Sequence, residues 1–334
     1  MEEQLMQHRT LGPTGRSVSS IGLGTWQLGT EWGDVNETDA LAVLDAAAES
    51  GVTFFDTADV YGDGRSERII GTWLKKNQDW DGTVGTKMIR RAPEPTLAHA
   101  TVENFRAWTD RSRANLGVDT LDLVQLHCPT DDVYESDEVF DILDTLVDEG
   151  VFASYGVSVE TCDQALRAIA RPKVASVQII LNAFRQKPLE AVLPAAQEAD
   201  KAIIARVPLA SGLLSGRYTK ETTFAETDHR NFNRHGEAFD VGETFAGVDF
   251  DTGVDAAAEF AELAKQAGLE PSTAALAWAV QQDGVSTVIP GARNPEQAQK
   301  NADAANAETL STEFLDSVRD LYDRRIRPQV HHKW

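Results

Sequence analysis

The chain has 334 residues, 42% of them hydrophobic, and a formal net charge of −22. That is ample for one large core, no apolar run is long enough to cross a bilayer, and so acidic a surface repels the phosphate backbone of nucleic acid. Acidic residues are spread along the whole chain with few lysines, which points to adaptation to high salt, where self-repulsion is screened.

Residues 9–18 predict a short β-hairpin around Gly12-Pro13-Thr14-Gly15. Strands and helices then alternate. Residues 20–24 predict a first strand, and helical spacing of apolar groups predicts a helix over 38–50. Gly51 stops that helix, and Val52, Phe54 and Phe55 open a second buried strand that turns polar at Asp56-Thr57-Ala58-Asp59. Tyr61, Gly62 and Gly64 follow, then Ser66 in position to cap a helix over 66–76. The remaining strands are predicted at 83–88, 122–127, 153–159, 177–182, 202–207 and 285–290. Helices are predicted at 97–116, 137–149, 161–169, 189–199, 254–266, 272–282, 295–305 and 312–325.

Eight strands alternating with helices, with no linker-like break, predict an α/β fold: one (β/α)8 TIM-barrel domain over residues 1–334. The hairpin is an N-terminal cap and the last helix a C-terminal extra; His331, His332 and Trp334 read as tail residues. Residues 209–251 have no sustained periodicity. A loop that long, directly after the seventh strand, is expected to be functional and on the active face. Cys128 and Cys162 offer neither a disulfide framework nor a metal-ligand pattern and read as free thiols in a reducing cytoplasm. The opening Met1-Glu2-Glu3-Gln4-Leu5 has no basic and apolar regions of a secretory signal.

The predicted strands end in chemistry-bearing residues: Asp56 with Tyr61 beyond it, then Lys87, His127, Ser158, Gln178 with Asn182, and Arg206. Singly, each has a plain reading: Asp56 and Asp59 as turn residues, Tyr61 as packing, His127 as a satisfied core histidine, Lys87 as a snorkelling lysine. Four such groups at the ends of three successive strands read instead as an acid–base cluster. A buried Lys87 needs a partner, and Asp56 is the natural one. An ammonium near a phenol favours phenolate and lowers its pKa. Tyr61 can then protonate a carbonyl oxygen as hydride reaches the carbon, with His127 orienting that oxygen. Asp59 receives no catalytic role. No metal is expected: His127 and the pair Asp56 and Asp59 are too few ligands for a metal-dependent isomerase.

Several runs together resemble the aldo-keto reductases over nearly the full chain. They are Arg9-Thr10-Leu11-Gly12, Gly22-Leu23-Gly24-Thr25-Trp26, Phe54-Phe55-Asp56-Thr57-Ala58 through Tyr61-Gly62 and Ser66-Glu67, and Thr86-Lys87. Further matches are residues 122–127, Tyr155-Gly156-Val157-Ser158, residues 208–216, and Ile289-Pro290-Gly291-Ala292-Arg293. The resemblance implies a (β/α)8 oxidoreductase that reduces an aldehyde or ketone to an alcohol, preferring NADP(H) to NAD(H), with the catalytic tetrad on Asp56, Tyr61, Lys87 and His127.

It also implies cofactor contacts. These fall on Gly24, Thr25, Trp26 and Asp56, and on Ser158 and Gln178 at the nicotinamide carboxamide. Arg206 is expected at the nicotinamide ring. Pro208, Leu209, Ser211, Gly212, Leu214, Ser215 and Gly216 are expected around the pyrophosphate, with Arg217 where a lysine is common. Gly291, Arg293, Gln297 and Asn301 are expected at the adenosine 2′-phosphate and adenine. Three positions depart from the family pattern: Val159 follows Ser158 where asparagine is common, Arg206 replaces a stacking aromatic, and Gly291-Ala292 replaces a Lys-Ser pair. Trp26, Trp32, Tyr61 and His127 are expected to line the substrate pocket. The implied partner is a small carbonyl compound, with no nucleic acid or membrane partner, and the chain is expected to be a monomer. The alternative is a cofactor-binding sensor of the same fold, as in potassium-channel β-subunits.

Overall fold

The computed structural model describes residues 6–29 and 35–334; Trp32, expected at the substrate pocket, lies outside the described residues. Strands β1 (His8–Thr10) and β2 (Ser17–Ser19) pair antiparallel as the hairpin. Eight parallel strands follow: β3 (Leu23–Gly24), β4 (Phe54–Asp56), β5 (Thr83–Met88), β6 (Leu121–His127), β7 (Phe152–Ser158), β8 (Val174–Ile180), β9 (Ala202–Arg206) and β10 (Val285–Val288). Each pairs with the next in chain order. Parallel bridges from Ile21 to Val288 and from Gly24 to Gly291 join the two edges into a nearly closed barrel. Because all eight strands run one way, their polar C-terminal ends share one rim.

The hairpin plugs the barrel. Leu11 and Val18 pack with Phe54, Leu123, Ala202, Ile204 and Ile289 in a core of their own. Gly12 has φ +51°, and a Cβ there would come 2.5 Å from the Ala175 carbonyl oxygen, so the turn closes only on glycine.

Several expected boundaries move. The helix after Tyr61 spans Arg65–Lys76 and starts from left-handed Gly64 with no side-chain cap. Ser66 is fully buried inside it and donates its hydroxyl to Thr25 Oγ1 at 2.8 Å, so it ties the helix to the first strand end rather than capping it. The expected helix over 97–116 is broken. A single turn at Leu97–His99 precedes the helix Val102–Leu116, where Thr101 Oγ1 accepts from the Asn104 amide. Strand β8 starts earlier than expected and stops at Ile180; Asn182 lies in a turn and donates to the Val207 carbonyl at 2.9 Å. The last long helix, Thr312–Leu321, widens into a π-turn at Tyr322–Ile326. The end of the chain, read as a tail, packs against the fold: Trp334 is buried, its ring lies 3.6 Å from the Arg185 guanidinium carbon, and His331 Nδ1 is 2.9 Å from the Tyr322 hydroxyl.

The long segment after β9 folds into short turns, including Ala210–Ser215, His229–Phe232 and Val241–Glu243. Phe224, Phe245, Phe250 and Tyr218 hold it together by ring contacts. It crosses the rim on which the strand ends meet. No helix among the described residues is long and apolar enough to cross a membrane.

Candidate active site

The ladder between β4 and β5 continues past Asp56: the Thr57 amide donates to the Gly85 carbonyl at 2.8 Å and the Asp59 amide to the Lys87 carbonyl at 3.2 Å. Asp56 is registered opposite Gly85, so its side chain and that of Lys87, two residues further along, share one face. Lys87 Nζ is 2.5 Å from Asp56 Oδ1, donates to the Thr57 carbonyl at 2.7 Å, and reaches the Tyr61 hydroxyl at 3.4 Å. The Lys87 side chain is only 1% exposed, so this ammonium exists by virtue of its partners. Asp56 Oδ2 accepts from Gln178 Nε2 at 2.8 Å and from Gln125 Nε2 at 3.3 Å. Left-handed Gly62 turns the chain back against Gly29, which sets Tyr61 at 6.0 Å from the Trp26 ring and 6.0 Å from the His127 ring.

Burial pushes the Tyr61 hydroxyl well above the ordinary phenol value, with Asp56 and Glu243 adding to it; Arg90 and Arg206 pull the other way. This differs from the expected downward shift by Lys87, whose charge is taken up by Asp56 at contact distance. Burial also lowers Lys87, against the pull of Asp56. His127 is held well below the ordinary imidazole value by burial and then by Arg90, so it is neutral at neutral pH. Its Nδ1 has no hydrogen-bond partner among the described residues. The grouping can hold a proton at the Tyr61 oxygen beside a buried cation and a neutral imidazole.

A second cluster adjoins the first. Arg206 donates to the Val159 carbonyl at 3.0 Å and to Glu160 Oε2 at 2.9 Å. Arg90 donates to Glu243 Oε1 at 2.8 Å and lies 3.5 Å from His127 Nε2. Glu243 also lies 3.8 Å from Arg206 and is pulled down to about 2, chiefly by Arg90 and Arg206 against burial. Arg90, Glu160 and Glu243 are absent from the sequence-level site. The available signal was an unmatched Arg206 at a strand end, which called for a buried carboxylate nearby.

A cleft of about 300 Å³ runs along the rim from Tyr61 and His127. Gly24, Thr25, Trp26, Asp56, Gln178 and Arg206 line it, as do Pro208, Leu209, Ser211, Gly212, Ser215 and Arg217 from the segment after β9. Gly291, Arg293, Gln297 and Asn301 line it too, together with Gln27 and Lys300, which sequence reasoning missed. Ser158, Leu214 and Gly216 do not line it. Ser158 is fully buried and its hydroxyl accepts from Cys128 Sγ at 3.4 Å, while Leu214 is core. Val207, Ala210 and Ser211 all have positive φ (54°, 46° and 55°), an uncommon run for residues with side chains.

Asp59 stands apart. It is fully buried, and neither carboxylate oxygen has a hydrogen-bond partner among the described residues. Arg91 and Arg111 bond its backbone carbonyl instead. Burial, then the nearby Glu67 carboxylate, raises its pKa from 3.8 to about 8. The folded state therefore keeps a proton that the unfolded chain releases. This stability contribution is complete below pH 4 and is lost as pH rises toward 8. Asp59→Asn is expected to gain stability over the wild type across that window, by roughly several kcal/mol at its upper end. Urea unfolding at pH 5 and pH 9 measures it; an equal difference at both would contradict a neutral Asp59.

Residues 20–323 match the profile of the Aldo/keto reductase family. The aldo-keto reductase YhdN of Bacillus subtilis is 29% identical, over 97% of this chain and 96% of the relative. A probable voltage-gated potassium channel subunit beta of Arabidopsis thaliana is 27% identical, over 98% of this chain and 100% of its own length. Among solved structures, the glycerol dehydrogenase AKR11B4 of Gluconobacter oxydans superposes with TM-score 0.77 at 26% identity, covering 98% of this chain and 97% of that one. An aldo-keto reductase of Klebsiella pneumoniae in complex with NADPH superposes with TM-score 0.70 at 23% identity, covering 95% of each chain, a likeness of fold.

Proposed function

The chain belongs to the aldo/keto reductase family, and from that premise we propose that it reduces an aldehyde or ketone to the alcohol, using NADP(H) in preference to NAD(H). The observation that carries the proposal is the Lys87 ammonium, held 2.5 Å from Asp56 and 3.4 Å from the hydroxyl of Tyr61, which lines the cleft. Bound nicotinamide supplies the hydride. Tyr61 gives its proton to the carbonyl oxygen, and the phenolate left behind is stabilised by Lys87. Asp56 keeps Lys87 charged and in place. Neutral His127 orients the oxygen. Trp26 and Tyr61 wall the substrate side.

The cleft suits a dinucleotide phosphate. Its wall has left-handed backbone at Val207 and from Ala210 to Gly212, where turned backbone can offer N–H groups to an anion, and Arg217 also lines it. In this reading Gln178 serves the carboxamide, Arg206 lies against the nicotinamide ring, and Gly24, Thr25 and Ser215 complete the wall. Arg293 bonds the 2′-phosphate, with Gln297 and Asn301 at the adenine. We place the protein in the cytoplasm as a salt-adapted monomer.

The test is a panel of aldehydes, ketones and polyols with each cofactor at low and high salt. Carbonyl-dependent oxidation of NADPH supports the enzyme. Arg293→Ala is expected to raise the Michaelis constant for NADPH about tenfold or more, as loss of a charge-assisted contact should, with little change for NADH; an unchanged NADPH constant would sink that role. A sensor reading draws on the full-length similarity to the channel subunit. It predicts tight cofactor binding without turnover in the same panel.

A further inference from the structure

The proposed reaction leaves one cation beside the carbonyl site without a task. Arg90 follows Ile89, a buried β-branched residue with φ +85°. Such a backbone is costly and persists only where its surroundings enforce it. The kink turns the chain just beyond β5 so that the guanidinium returns over the rim. There Glu243 Oε1 holds Nη2 at 2.8 Å, Glu160 Oε1 lies 3.6 Å away, and Nη1 points to His127 Nε2 at 3.5 Å. Glu243 and Glu160 are the only carboxylates the described residues place in ion-pair range of Arg90, and both are shared with Arg206.

Resting on that reaction, we infer that Arg90 is a fifth catalytic group: its guanidinium donates to the carbonyl oxygen and carries part of the negative charge that builds there. Arg90 Nη1 and His127 Nε2 are 3.5 Å apart, close enough for one oxygen held by His127 to bridge to the guanidinium as well. His127 is poorly equipped to carry that charge alone. It is neutral, and its Nδ1 has no partner to support a positive ring. A guanidinium stays charged, and its planar fork can bond Glu243 with one nitrogen and the oxygen with another. Bonds and charge balance: hydride adds to the carbonyl carbon, the π pair moves to oxygen beside Arg90, and the Tyr61 proton neutralises it. Arg90 neither gains nor loses a proton. Its field also acts on Tyr61, favouring the phenolate that the step leaves.

Arg90→Met is expected to lower kcat for carbonyl reduction about 10²–10³-fold, the usual loss for an oxyanion donor, with the NADPH dissociation constant within about threefold of wild type. Arg90→Lys keeps a charge that Glu243 can hold, and is expected to recover about tenfold or more. Followed in the direction of alcohol oxidation, where Tyr61 is the base, the limb on which the rate rises with pH as Tyr61 ionises should move up by about one pH unit in Arg90→Met and stay in place in Arg90→Lys. A kcat within about threefold of wild type in Arg90→Met overturns the inference. So does a loss that the lysine does not relieve and that leaves the pH limb unmoved, since Arg90 would then only brace the segment carrying Glu243. A wild type that oxidises no NADPH with any carbonyl sinks the reaction and Arg90 together. Turnover in the wild type matched by Arg90→Met sinks Arg90 alone.

Discussion

Lys87→Met is expected to cost about 3–5 kcal/mol of folding free energy and to reduce carbonyl turnover at least about a hundredfold. The cause of the first loss is the ion left behind. Asp56 is buried, and its closest cation is the 2.5 Å contact from Lys87 Nζ. Gln178 and Gln125 still donate to Oδ2, which softens the penalty without removing it. The double variant Lys87→Met/Asp56→Asn should recover part of the stability, because no uncompensated charge remains, and none of the turnover. Chemical unfolding of the wild type and the two variants separates the effects. A single-variant loss below about 1 kcal/mol would mean the pair is screened like a surface bridge.

Tyr61→Phe should show the reverse pattern: a turnover loss of about 10²–10⁴-fold with nearly unchanged stability. The hydroxyl accepts one long hydrogen bond, 3.4 Å from Lys87 Nζ, so its removal should change folding by no more than about 1 kcal/mol. The ring, which holds the contacts to Trp26 and His127, is kept. Binding of NADPH, followed by fluorescence titration, should survive. Full activity in this variant would assign the proton to another group.

The barrel and the four strand-end groups are legible in the chain for one physical reason. A parallel strand is buried on both faces, so a charged residue at its end needs a special cause. Asp56, Lys87 and His127 each interrupt an apolar run. Boundaries are less legible where the signal is local and the outcome tertiary. Ser66 has the chemistry of a cap, but its hydroxyl is drawn to Thr25, 41 positions away. Strand β8 lies in a run of buried residues from Val174 to Ile180, where no alternation marks an edge. The second charged cluster is harder still. Arg90 and Glu243 are 153 residues apart, and Glu243 sits in a segment without periodicity, so nothing but the folded chain brings them together. Asp59 is similar: a turn-like residue by type, it is buried by the ladder that carries its neighbours.

The central claim is that hydride passes directly to a carbonyl carbon while Tyr61 supplies the proton. NADPH deuterated at the nicotinamide C4, on one face and then on the other, tests it most directly when supplied with a carbonyl that the panel shows to turn over. One of the two labelled forms should deliver a single deuterium to the carbinol carbon of the product, the other none, and Tyr61→Phe should deliver about a hundredth as much in the same time or less. A product whose carbinol hydrogen comes from water, or labelled NADPH held tightly by the protein and never oxidised, would contradict the account.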